Sequence, residues 1–183
     1  RPHHFRFKHA LIRDAAYHTQ SKLSQRQSHA QIAGVLEQTA VETGNLHAEV
    51  LAYHFEQAQH YEKAIGYWFD AGMANLKLFA NQEALDHFEH ALKLCSELRE
   101  LEQINSWRLR LLLQIFTCQR TLYGYGSELA NASLDQAIQL SDQQSDHPYL
   151  FQAIWNIWSS SSTRTGYQSS LVWAQRLLQL AEQ

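Results

Sequence analysis

The side chains with most chemistry to offer are the histidines, 11 in a chain of 183 residues. His87 and His90 stand three apart in "ALDHFEHALKL" (84–94), and Glu83 lies one turn before His87. A helix would set all of them on a shared face from which imidazole and carboxylate can ligate a metal. The rest of a metal centre is missing: there is no HExxH pair and no Cys-His cluster, and Asp86 and Glu89 read as solvated neighbours. Neither a Ser-His-Asp nor a Cys-His spacing supports a nucleophile, no paired acids stand out, and no GxxxxGK[ST] loop offers a cradle for phosphates. The expectation is a segment with no catalytic residue, no metal and no cofactor.

Another histidine, His9, sits in "FRFKHALIRDAAYH" (5–18). Phe5, Phe7 and His9 alternate with Arg6 and Lys8, the period of a half-buried strand, whereas Leu11, Ile12, Ala15 and Ala16 follow at helical spacing. Cys95 and Cys118 fall within helical patterns and read as reduced, buried thiols of a cytoplasmic protein.

Composition sets the frame for these residues. The formal net charge of -3 gives no electrostatic reason to expect nucleic acid or an anionic membrane as partner. No apolar run is long enough to span a bilayer, and the N-terminus lacks a signal-peptide pattern. With 45% hydrophobic residues the chain can bury a core, and 7 glycines with 2 prolines favour long helices over a turn-rich sheet protein. The chain begins "RPHH" and stops at "LLQLAEQ" in mid-pattern, which reads as a piece of something longer.

After the strand, helical patterns run over 10–19, 24–42, 46–59, 62–79, 81–98, 102–122, 127–142, 148–163 and 168–182. The second half repeats. Ala84, Ala130 and Ser170 form one column; Phe88, Leu134 and Ala174 the next; then Ala91, Ala137 and Leu177; then Leu94, Leu140 and Leu180. All four columns keep offsets of 46 and 40. Each copy follows a turn ("FANQ", "YGYG", "RTGY") that itself follows a helix, so the unit is a helical hairpin of about 40 residues, the size of a solenoid repeat. Small residues in the first column let helix backbones approach, and the larger residue four positions on fills the groove beside them. Trp68, Trp155, Trp158 and Trp173 recur at helical spacing and read as core in preference to a peptide groove.

The stretch 68–91 resembles a tetratricopeptide unit, with Trp68, Gly72, Ala84, Phe88 and Ala91 at its signature spacing. Asn75 and Phe79 depart from it, standing where an aromatic and a small residue are usual. The whole chain, through "FRFKHALIRDAAYH", "AIGYWFDAGMANL", "LYGYGSELANASLDQA" and "LFQAIWNIW", resembles the C-terminal arm of large bacterial STAND-type AAA ATPases, often fused to a class III nucleotide cyclase. The resemblance implies that 1–43 ends a winged-helix subdomain and its linking helix, and that 44–183 forms tetratricopeptide-like repeats. It also implies an all-α helical-hairpin solenoid with a short N-terminal strand/helix remnant. By analogy with related STAND proteins, His9 would lie near the ADP phosphates of the full-length parent. The implied partner is another protein or the parent's own ATPase module. Two other readings stay open: the effector-sensing arm of a STAND-class transcription regulator, and a helical metal-dependent hydrolase using the histidines.

Overall fold

Turn chemistry divides this chain into helices where glycine and proline do not. The computed structural model describes residues 10–43, 47–124 and 127–142, together with positions 155, 158, 171, 174, 175 and 178. Among the described residues every regular element is helical: α1 (Ala10–His18), α2 (Lys22–Thr43), α3 (Ala48–Gln57), α4 (Tyr61–Lys77), α5 (Asn81–Leu94), α6 (Leu101–Tyr123) and α7 (Glu128–Asp142). A 3-10 turn, Cys95–Glu97, ends the α5 pattern short of the residue 98 expected from periodicity. The expected strand through Phe5, Phe7 and His9 lies outside the described residues, as do most of the two expected helices after residue 147. Positions 155, 158, 171, 174, 175 and 178 are helical.

The α3–α4 and α4–α5 turns are built alike, 20 residues apart in the sequence. Gln59 and Phe79 take left-handed backbone conformations, with φ of 61° and 60°. Gln59 N–H donates to Glu56 O at 2.8 Å and His60 N–H to Phe55 O at 2.9 Å; Phe79 N–H donates to Leu76 O at 3.1 Å and Ala80 N–H to Asn75 O at 3.0 Å. Both are Schellman ends, which satisfy the last carbonyls of a helix and usually place glycine where Gln59 and Phe79 stand. The next chain reversal follows that habit: Gly124, with φ of 87°, ends α6 and donates to Arg120 O.

From α2 to α7, each helix packs chiefly on its neighbours in sequence. The core therefore runs along the chain as successive layers. Ala33, Leu51, Phe55 and Ala64 fill the space among α2, α3 and α4. Ile65, Leu85, Phe88, Ala91, Leu111 and Ile115 fill that among α4, α5 and α6. Leu109, Leu112, Leu113 and Ala137, with Phe116, Ala130 and Leu134, close α6 on α7. The small-residue columns lie inside these layers: Ala84, Ala91 and Ala137 are fully buried, and Ala130 nearly so. Ala174 is helical and half-buried.

Gly72 makes the closest approach. A β-carbon built there would stand 2.5 Å from Phe88 Cε1, so only glycine lets the Phe88 ring lie against α4. The offset of 46 carries Gly72 to Cys118 and Phe88 to Leu134, and all four are buried.

Candidate functional site

The strongest polar constellation lies where α1, α2 and α3 meet the end of α5, around an open cleft of about 390 Å³. Tyr17 of α1 forms one side. Lys22, Gln25 and Arg26 line it from the start of α2, and Ser21 caps that helix by accepting from Ser24 N–H at 3.1 Å. Opposite stand Glu56 and Gln57 of α3, Tyr61 of α4 and Glu97 of the 3-10 turn. The cleft so pairs a cationic wall with an anionic one. No ion pair among the described residues engages Lys22, Arg26 or Glu97.

Glu56 is fixed from behind. Its Oε2 accepts from the Trp68 indole N–H at 2.9 Å and lies 2.8 Å from His90 Nε2, so one carboxylate joins α3, α4 and α5. Trp68 itself is half-buried and packs on two core layers, with His87 tilted against its ring at 5.1 Å and His90 edge-on at 4.9 Å. The two histidines that shared a face in the sequence are thus spent on a tryptophan and a carboxylate. Among the described residues, no three His, Cys, Asp or Glu side chains are placed to hold a metal. His87 also borders a second cleft, of about 230 Å³, with His47 and Glu49.

A second polar chain joins the first three helices. Tyr17 Oη lies 3.0 Å from His29 Nε2, and His29 Nδ1 lies 2.9 Å from His54 Nδ1. Gln25 Nε2 donates to Tyr17 O at 2.8 Å. His29 is 6% exposed, and burial holds its pKa below the ordinary 6.5. Burial, then the neighbouring His29, does the same for His54. A third link ties α2 to α4: Glu37 accepts from Lys63 at 2.8 Å and from Tyr67 Oη at 2.7 Å. The Lys63 contact holds Glu37 below the usual carboxylate range, while burial and Glu37 push the Tyr67 phenol up to about 12.

The structure brings Trp68, Gly72, Ala84, Phe88 and Ala91 together between α4 and α5, and Ala130, Leu134 and Ala137 on the buried side of α7. These residues pack and do not line the cleft. Trp155 is half-exposed, its ring 5.1 Å from that of Trp158. Cys95 and Cys118 are free and buried, and burial raises both thiols to about 11. His9 lies outside the described residues. The cleft and the Tyr17–His29–His54 chain were not singled out from the sequence. Tyr17 and His29 are 12 residues apart and His29 and His54 are 25 apart, so no local spacing marks them.

Fold and cleft together define an all-helical protein of consecutively packed helices with a charged cleft at its first junction. No family model and no solved structure matches the chain. It is similar to an uncharacterized protein of Rhizobium meliloti (strain 1021), 24% identical over 154 residues, which cover 83% of this chain. The match spans about 15% of that relative's length. Among the described residues, no helix is long and apolar enough to cross a membrane.

Proposed function

We propose that this chain is a non-catalytic, tetratricopeptide-like repeat segment that binds a partner protein, or the nucleotide module of a larger STAND-type, cyclase-associated signalling ATPase, and regulates it. The observation that supports this reading is the seating of Phe88 on Gly72, two residues at the tetratricopeptide-like spacing, between helices joined by a Schellman turn. Sequential packing of the helices supports a solenoid, in which each unit touches only its neighbours and a long face stays free for a partner. The much greater length of the Rhizobium meliloti relative supports a multidomain setting. Two free thiols support a reducing, cytoplasmic one.

In mechanism, a partner that prefers one docking of the arm would shift the ATPase between closed and open populations. The facing charges of the cleft suit a polar protein segment that brings groups of both signs. Size-exclusion chromatography with light scattering tests this directly. The chain mixed with the parent's nucleotide module should co-elute as a complex, and two separate peaks at tens of micromolar would count against docking on that module.

A further inference from the structure

α1 is held to the helices behind it by Tyr17. Its hydroxyl meets His29 at 3.0 Å, its carbonyl accepts from Gln25, and its ring stands edge-on to His29 at 5.9 Å. Leu11 and Ile12, on the same helix, are exposed. His29 in turn reaches α3 through His54, Nδ1 to Nδ1 at 2.9 Å. Such a contact can hold only one hydrogen. One imidazole must donate from Nδ1 and the other must accept there.

The proton count follows. With both rings neutral, one Nδ1–H bridges the pair, and the outer nitrogens are free to hold the other proton and to meet the Tyr17 hydroxyl. A first proton from solvent occupies the remaining outer nitrogen, and the N–H···N bridge survives. A second protonates the accepting Nδ1. Two N–H groups on two cations then face each other, and the bridge becomes a repulsion.

We propose that Tyr17, His29 and His54 form a proton-counting latch between α3 and the start of α2, to which Tyr17 ties α1, and that uptake of a second proton parts α2 from α3 and so opens the cleft between Tyr17 and Glu56. Among the described residues the charged groups nearest the pair carry both signs, and none is bonded to either ring. From α1 the titratable groups at hand are Asp14, Tyr17 one turn on and, edge-on to Tyr17, His18; from α3 they are Tyr53, edge-on to both imidazoles, and Glu56, already taken by Trp68 and His90. On α2 itself Lys22 and Arg26, the latter one turn before His29, add positive charge to the same cleft, and Glu97 across it adds negative charge. Among the described residues no carboxylate is hydrogen-bonded or ion-paired to either ring.

The direction of the pH effect agrees. Both imidazoles are depressed below 6.5 in the closed form, so the open form binds protons first. Closure is therefore fully favoured above about pH 6.5 and lost as pH falls through the depressed values. The latch deepens the proposed role of the cleft by giving it a control, yet its geometry stands without any partner.

Hydrogen exchange of the full chain, corrected for intrinsic rates, tests it. Between about pH 7.5 and about pH 5, protection of residues 22–33 at the start of α2 should fall by about tenfold or more, more steeply than for a single proton, while α4 and α5 keep theirs. His54→Asn puts a non-titrating amide at the Nδ1 position and should leave protection of that segment nearly flat with pH. Tyr17→Phe, which cuts the link to α1 without removing either imidazole, should leave α1 weakly protected at both pH values while the start of α2 keeps its pH response. Flat protection in the wild type, or the same pH dependence in His54→Asn, would overturn the latch. No partner is present in this experiment, so its failure would leave the partner-binding proposal standing.

Discussion

The Phe88 ring lies where a side chain on Gly72 would have to be. A β-carbon there would meet three ring atoms at 2.5, 2.7 and 2.8 Å, and Phe88 is fully buried with no room to withdraw. Glycine inside a helix normally costs stability, so a helix keeps it where close approach returns more than that cost.

Alanine substitutions at two helical glycines should therefore move stability in opposite directions. Around Gly34, in exposed α2, an added β-carbon meets nothing within 4 Å. Gly34→Ala should gain about 0.5–1 kcal/mol from helix propensity. Gly72→Ala gains the same propensity but overpacks a closed layer, and should lose about 1–2 kcal/mol net. Urea denaturation at 25 °C measures both. Adding Phe88→Leu to Gly72→Ala should restore part of the loss, since the two side chains compete for one space.

Phe79 carries strain that the fold does not need. It is 87% exposed, makes the left-handed end of α4, and has φ of 60°. Phe79→Gly should raise stability by about 0.5–1 kcal/mol, since glycine adopts this conformation without a β-carbon penalty. Phe79→Val should lower it, because branching at the β-carbon worsens the same clash. Thermal melts of the pair should bracket the wild type.

Glu56 holds three helices at one oxygen. Glu56→Ala would leave the Trp68 indole N–H and the His90 imidazole without their acceptor, and should cost about 2–3 kcal/mol. Glu56→Gln keeps a neutral acceptor and should recover about half of that loss. Trp68 fluorescence during denaturation reports the change at the site itself.

What was legible in the sequence was what a period imposes. Ala84, Phe88, Ala91, Ala130, Leu134 and Ala137 recur at fixed offsets, and an amphipathic helix has only one stripe to bury, so their places inside the layers follow from spacing. The helix ends at Gln59 and Phe79 were less legible, because their turns use residues that do not advertise a left-handed conformation. The cleft was not legible at all. Lys22, Arg26, Glu56 and Glu97 come from α2, α3 and the turn after α5, and they converge only once the helices have chosen their neighbours. The same holds for Tyr17, His29 and His54, ordinary surface letters in a helical sequence until packing buries His29 between the other two.

The most direct test of the account is titration calorimetry of the parent's nucleotide module into this chain, with and without ADP and with Arg26→Glu as the cleft variant. The account predicts a dissociation constant of about 1–10 µM, tighter by about tenfold with ADP bound and weakened by Arg26→Glu. Absence of heat at about 100 µM under every condition would contradict a regulatory arm that docks on that module.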